Sequence, residues 1–446
     1  MKKTSFTFID LFSGIGGFHA VLSAMGGKCV FASEIQEAAA AVYHHNWGLN
    51  PIGDITKDAN DATMNVPPHD VLAAGFPCQP FSKGGAQLGM EETRGTLFWN
   101  ILRIVQEHHP KIVLLENVRN LAGPRHRHEW NVIIKALREQ GYRVSEKPAV
   151  FSPHLLPPQM GGSPQFRERI FITATYLGIN TDVVDLCADP AVENKPIKAW
   201  NPKLWDLETH LPLEPLHQTI NLQLSEIEKR WIDAWDEFVG MMRSARGDQR
   251  LPGFPFWADS WVQSSKLLIP RETPKWKENI LRKNSDFYSQ HQELIDPWAQ
   301  KWGLYGDSFP SSKRKLEWQA QDATSLWETI IQFRPSGIRA RTPTYVPALV
   351  AITQTSIWGP QKRRLSTREA ARLQGLPDWF NFGEQTDSKT FRQLGNGVSI
   401  GAVWYVLKEH ARRDEIILRA VAPKLLKSIL SAPNNPNDAL LQRERI

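Results

Sequence analysis

The sequence predicts an α/β protein built on a parallel sheet, followed by a small, irregular second module. Three observations carry that expectation. Residues 1–177 alternate short β-branched runs with amphipathic stretches of helical length, which is the pattern of βαβ units. Residues 191–360 break this rhythm, holding 12 of the 17 tryptophans, many prolines and few clean periodic segments. Residues 361–446 then return to helical patterning.

In chain order, strands are expected at Phe6–Phe12, Cys29–Ser33, Val71–Gly75, Ile112–Glu116 and Ile170–Tyr176. Helices are expected near 16–25, 35–45, 96–109 and 127–140. Their crossovers should be right-handed. The middle region reads as a loop-dominated recognition module whose tryptophans pack a core rather than stack on bases. Ser366-Thr367-Arg368-Glu369 has the Ser-x-x-Glu form of a capping box and opens a helix over 366–376. A further helix is expected over 399–420, and the stretch from Ser431 to Asn437 reads as a frayed terminus. The domain reading is therefore 1–185, 186–362, a returning segment 363–430 and a tail 431–446.

Composition narrows the function classes. The 446 residues carry 53 Lys plus Arg against 47 Asp plus Glu, a net +6. Counted by zone this is −1 for 1–190, +1 for 191–360 and +6 for 361–446. A polyanionic partner is permitted but must meet a local stripe, such as Lys313–Lys315 or Arg334–Arg341. No run of about 18 apolar residues is present to span a membrane, and the N-terminal residues lack the apolar core of a signal peptide. Three cysteines cannot form a disulfide framework, which fits a reducing cytoplasm. The histidines at 44/45, 108/109 and 126/128/154 form no ligand set with cysteine and are expected at the surface, so no metal is implied.

Three motifs carry chemistry. Phe8-Ile9-Asp10-Leu11-Phe12 runs into Ser13-Gly14-Ile15-Gly16-Gly17 and then a helix, which lets backbone approach a ligand closely. A dinucleotide fingerprint would need glycine at position 19, where His19 stands. Other adenosine cofactors stay open, and Glu34, about 20 residues on, is placed for ribose hydroxyls. Asp54 is a second strand-end acid. Next, Pro77-Cys78-Gln79-Pro80 follows an apolar strand, putting a thiol on a turn beside a glycine-rich loop. Third, Glu116-Asn117-Val118 ends the next strand, while alternation sets Gln165, Arg167 and Arg169 on one face.

These blocks, with Gln393-Leu394-Gly395-Asn396-Gly397-Val398, closely resemble those of the DNA (cytosine-5) methyltransferases of prokaryotic restriction-modification systems, in the family's order. The resemblance covers residues 6–178 and 361–407; the middle region matches only in position. It implies a Rossmann-like S-adenosylmethionine-dependent methyltransferase domain with a small, irregular target-recognition domain. Phe12, Gly14, Ile15, Gly16, Gly17, Glu34, Ile35, Asp54, Ile55, Pro77, Leu97, Asn396 and Val398 would border the cofactor. Cys78 would attack C6 of a flipped cytosine, with Glu116 on the N3 edge and Arg167 and Arg169 nearby. Gln79, Ser82, Arg94, Arg334, Arg339 and Arg341 would contact double-stranded DNA. A separately encoded restriction endonuclease would be the cognate partner, the setting prokaryotic, cytoplasmic and nucleoid-associated, and a monomer the default. A tRNA cytosine-5 methyltransferase and a catalytically silent DNA binder remain alternatives, with a NAD-dependent enzyme third.

Overall fold

The computed structural model describes residues 4–77, 96–182, 185–350 and 355–441. Its chain divides into two units: Met1–Pro212, Pro347–Thr353 and Thr367–Ile446 form the first, and Leu213–Val346 with Gln354–Ser366 form the second. In the first unit, β1 (Phe6–Leu11) lies between β2 (Gly27–Ser33) and β3 (Val71–Gly75), and β4 (Ile112–Val118) follows β3. All three pairings are parallel. The intervening helices are α1 (Gly17–Ala24), α2 (Glu37–Trp47) and α3 (Leu97–His108), with α4 (Arg127–Glu139) after β4. Both sheet faces are buried. Phe8, Val71, Ala73, Ile112 and Leu114 belong to one core cluster, Ile9, Leu72, Ala74, Val113 and Leu115 to the other. Two-sided burial is why these runs read as continuously apolar.

The last expected strand departs from the parallel pattern. After β5 (Tyr142–Ser145) come only β6 (Ala149–Phe151), β7 (Gln165–Phe166) and short 3-10 turns before β8 (Arg169–Tyr176). A parallel neighbour needs a crossover of a dozen or more residues, usually helical. Without that helix the chain doubles back, and β8 pairs antiparallel with both β4 and β5. β9 (Cys187–Ala188) adds to β5, and α5 (Leu207–His210) follows. The boundary expected at 185/186 falls at 212/213 instead. Residues 186–212 stay with the first unit because Trp200 and Trp205 donate their indole N–H groups to the His154 carbonyl at 3.0 and 2.8 Å.

The second unit is more regular than its composition predicts. It contains the 20-residue α6 (Glu226–Ala245), β10 (Phe256–Trp257) and the 28-residue α7 (Lys275–Trp302), which breaks at His291. The strands β11 (Lys315–Gln319), β12 (Ile330–Arg334) and β13 (Gly337–Arg341) follow, then β14 (Val346–Pro347), β15 (Ile357–Trp358) and β16 (Arg363–Arg364). Six of these strands form one sheet in the order β10-β11-β13-β12-β15-β16. The start of α6 is a capping box, Ser225 and Glu228 each taking the other's backbone N–H. Trp235, Trp261 and Trp298 are buried in the core of this unit. Trp235 donates to the Lys313 carbonyl at 2.8 Å and Trp298 to the Ala234 carbonyl at 2.8 Å, so each indole buries its ring without stranding its N–H.

The chain then returns to the first unit as α8 (Thr367–Leu373), α9 (Asp387–Asn396), α10 (Ile400–Arg413), α11 (Glu415–Val421), α12 (Pro423–Ser431) and α13 (Pro436–Leu440). Val403, Trp404 and Leu407 of α10 join the cluster that contains Phe8 and Ile112, which completes one helical layer. At the far end of α10, Thr175 on β8 donates to Asp414 Oδ2 at 2.6 Å and meets His410 Nε2 at 3.1 Å. Burial pushes His410 down to about 3, so this staple holds a neutral imidazole. Asp414 also divides the single helix expected over 399–420 into two. Nor is the tail frayed up to residue 441: Leu440 is buried and its carbonyl accepts the Trp379 indole at 3.3 Å.

Candidate active site

The register of the sheet brings the motifs to one edge. Leu11 pairs with Ser33 and Ala74, Gly75 with Glu116, and Val118 with Arg169. The carboxyl ends of four parallel strands and the start of antiparallel β8 therefore share an edge, where open α/β sheets bind ligands. A cleft of about 750 Å³ opens there. Its wall combines residues from the first strand ends with Lys389, Arg392 and Gly395–Val398 from the far end of the chain.

Eleven of the thirteen residues expected to border a cofactor line this cleft: Phe12, Gly14, Gly17, Glu34, Ile35, Asp54, Ile55, Pro77, Leu97, Asn396 and Val398. Ile15 and Gly16 lie behind the wall and support it. The Ile15 carbonyl accepts the Trp47 indole at 3.0 Å, and a Cβ on Gly16 would stand 2.1 Å from the Trp47 Nε1. Phe12, Gly14 and Gly16 all have positive φ (53°, 53° and 91°), so the turn is tight at three places. Glu34 fastens it, accepting from the Gly14 N–H at 2.8 Å and the Gln36 N–H at 2.7 Å. Asp54 accepts from the Thr56 N–H and hydroxyl at 3.0 and 2.8 Å, which lowers its pKa.

Behind the turn lies a charge the sequence reading did not single out as functional. Asp10 is fully buried, and its Oδ2 accepts the His19 N–H in the first turn of α1 at 3.2 Å. Burial pushes this carboxyl well above its ordinary pKa; the His19 hydrogen bond opposes the shift, and nearby Glu34 adds to it. His19, at the position of the missing third glycine, stacks on Trp47 and meets the Tyr43 hydroxyl at 2.6 Å. The Ser13 and Ser33 hydroxyls on the cleft wall are buried with no hydrogen-bond partner among the described residues.

At the other end of the cleft stands Glu116, buried, with Arg169 Nε 2.9 Å from its Oε1. That contact is an ion pair by distance, yet among the described residues Oε1 receives no hydrogen bond of good direction. Burial raises the Glu116 pKa, and the two nearby guanidinia offset only part of the shift. A carboxyl in this state can keep or give a proton as charge develops on a ligand. Asn117, next along β4, donates from Nδ2 to the Phe76 carbonyl at 2.9 Å and so fixes the strand end that leads into Pro77. Cys78, Gln79, Ser82 and Arg94 lie outside the described residues.

Arg167 is not in the cleft. Although alternation puts it on the same face as Arg169, it is buried and donates to three backbone carbonyls: Leu349 at 2.9 Å, Gly395 at 2.8 Å and Gly397 at 2.6 Å. The expected surface position of His154 is also corrected, since it is buried against Ser152 Oγ at 2.8 Å. Among the described residues no His, Cys, Asp or Glu cluster could hold a metal. Leu349 and Val350 line the cleft with no motif to announce them.

In the second unit, Arg334, Arg339 and Arg341 share the polar face of the six-stranded sheet, while Leu316, Ile331, Ile338 and Ala340 face the core. Arg339 donates to Glu317 at 2.6 Å, Arg334 Nη1 lies 3.7 Å from that same carboxylate, and Arg341 donates to the Gln319 amide at 2.9 Å. Two guanidinia thus share one acid, and the third meets a neutral amide oxygen.

Fold and cleft together define an α/β protein with a cleft at its strand ends. The sequence matches the family of C-5 cytosine-specific DNA methylases over residues 6–412. It is 49% identical over 491 aligned positions to the Type II methyltransferase M.AluI of Cellulosimicrobium cellulans, covering 94% of each chain. It is also 29% identical over 405 positions to the Type II methyltransferase M.HhaI of Haemophilus parahaemolyticus, covering 91% of this chain and 94% of that one. Among solved structures, S. pombe Dnmt2 methyltransferase superposes with a TM-score of 0.45 at 16% identity, over 93% of this chain and 99% of that one. The chain belongs to the C-5 cytosine-specific DNA methylase family and is a DNA cytosine methyltransferase.

Proposed function

We propose that the cleft holds S-adenosylmethionine along the glycine turn and a flipped cytosine against Glu116 and Arg169, and that Cys78 is the nucleophile. The observation that carries this reading is the single cleft uniting the turn, the Glu116–Arg169 pair and the returning Gly395–Val398 wall. S-adenosylmethionine, when bound, supplies an electrophilic methyl group on a sulfonium. The residues present suit it better than a pyrophosphate. In a dinucleotide site the helix N-terminus takes phosphate, but here Asp10 already occupies an N–H there, and Glu34 another in the turn. Two acids, and two hydroxyls with no partner among the described residues, on or beside the wall suit an adenosine with a cationic tail.

Cytosine C5 is too weak a nucleophile to take a methyl group unaided. The Cys78 thiolate forms a bond to C6, and the electron pair of the C5–C6 double bond moves into the ring, toward C5 and N3. Glu116 hydrogen-bonds N3 and offsets the charge that builds there, while Arg169 holds the O2 carbonyl. C5 would then take the methyl group as the methyl–sulfonium bond breaks and S-adenosylhomocysteine leaves; H5 passes to water as a proton, and the C6–S bond breaks to return the thiolate. The base must leave the duplex for this, at a cost of a few kcal/mol. Gln79, Ser82 and Arg94 are assigned to DNA contact beside the flipped base, and Arg334, Arg339 and Arg341 to phosphates or base edges of a short duplex target. The Type II relatives suggest that the modification protects DNA from a separately encoded endonuclease.

A duplex carrying 5-fluorocytosine tests the covalent step, because fluorine cannot leave as a proton does. With donor present, the reading expects a trapped protein–DNA adduct whose attachment maps to Cys78. No adduct, or attachment elsewhere, contradicts it.

A further inference from the structure

Arg167 and Arg169 stand two residues apart, yet their guanidinia serve different parts of the cleft. Arg169 reaches Glu116, whereas Arg167 turns to the Leu349, Gly395 and Gly397 carbonyls. Both segments it grips supply cleft wall: Leu349 and Val350 on one side, Gly395 to Val398 on the other. The Gly395 and Gly397 carbonyls lie at the C-terminal end of α9, where a cation is favoured by the helix dipole. One planar fork of five N–H donors, fixed in direction, satisfies the three converging carbonyls from two of its nitrogens. The wall it sets is pressed on the glycine turn, since a Cβ on Gly17 would stand 2.5 Å from Val398 Cγ2.

We propose that Arg167 is a positioning residue for the methyl donor: it sets the Gly395–Val398 wall against the glycine turn and makes no contact with the cytosine. This rests on the reading that the cleft takes S-adenosylmethionine. Losing the fork frees the wall from β8, so the donor pocket loosens while Glu116 and Arg169 keep their pairing.

The test is calorimetric titration of the full chain with S-adenosylhomocysteine, beside steady-state KM values for donor and for DNA, in wild type, R167K and R167M. R167M should weaken S-adenosylhomocysteine about 10- to 100-fold, the scale of lost hydrogen bonds to a charged group. Its donor KM should rise in parallel, while kcat and the KM for DNA stay within a fewfold of wild type. R167K, which keeps a cation but not the fork, should fall between. Wild-type affinity in R167M with a reduced kcat would overturn the inference and put Arg167 on the base, and equal losses in both KM values would reduce it to a fold-stabilising role, which also overturns it. If R167M does not fold, R167K decides: an intermediate affinity supports the inference and wild-type affinity refutes it. A wild-type chain that fails to bind S-adenosylhomocysteine would refute the cofactor reading itself, and this inference with it.

Discussion

The first unit sets buried Asp10, Glu116 and Arg167 at and behind its strand ends, whereas the second packs its core with Trp235, Phe238 and Trp298, buries Arg363 away from them and places Arg334, Arg339 and Arg341 on one sheet face. A buried charge costs free energy unless it is paired; the staple of His410 and Asp414 meets that cost for structure, whereas Asp10 and Glu116 meet it beside the cleft. An aromatic core yields stability and shape alone. The contrast sets the unit to which the proposal assigns the reaction against the unit to which it assigns contacts with the target.

The largest effect should come from the buried acid. Glu116→Gln keeps the shape and removes the proton it can give; steady-state kinetics should show kcat lower by about 10²- to 10³-fold, the usual scale for loss of one preorganised charge-stabilising group. S-adenosylhomocysteine affinity should be unchanged, and a kcat within a fewfold of wild type would remove Glu116 from the chemistry. On the other side of the comparison, Trp235→Ala should cost about 3–5 kcal/mol of stability in the second unit. Chemical denaturation should then show an earlier transition, with donor binding in the cleft preserved. Loss of donor binding in parallel would show that the units do not keep separate accounts of stability.

Within the first unit the glycine turn offers a finer contrast. Gly16→Ala meets both positive φ and the Trp47 ring 2.1 Å away, while Gly14→Ala meets positive φ with nothing within 4 Å. Gly14→Ala should cost about 1–2 kcal/mol in thermal unfolding, and Gly16→Ala clearly more; equal costs would mean that the Trp47 contact gives way freely. The smallest effect concerns pH. Because burial raises the Asp10 pKa in the fold, its contribution to stability is present below the ordinary carboxylate pKa and is lost as pH rises through the folded value. Asp10→Asn removes that loss, so its melting temperature relative to wild type should rise as the pH climbs above the ordinary carboxylate range. A difference that stays flat or falls would mean Asp10 is stabilised as the anion.

Much of this was legible in the residues because the signals were local. The runs at Phe6, Val71 and Ile112, the glycine turn, Glu34 and Glu116-Asn117-Val118 each sit at a strand end, and parallel register alone carries strand ends to one edge. The antiparallel β8 was missed because its apolar run looks the same in either direction, and only the absence of a crossover helix reveals its sense. Helix α6 was legible after all, through Ser225-x-x-Glu228 and the 232, 235, 238/239, 242 spacing, but the tryptophans drew attention away from the period. Arg167 was misplaced for a different reason: alternation gives the face a side chain leaves from, while its end point depends on carbonyls 182 to 230 residues away. Asp10 carries no such signal, since a strand acid in sequence does not show whether it ends in water or beneath a helix.

The central claim, that this cleft methylates cytosine in duplex DNA through Cys78, is met most directly by transfer of labelled methyl from S-adenosylmethionine. Unmethylated genomic DNA and total tRNA would be offered side by side, with Cys78→Ser as control and bisulfite sequencing of the product. The account predicts label in DNA alone, confined to one short sequence and absent with Cys78→Ser. Label in tRNA, or label in DNA that survives the substitution, would contradict it.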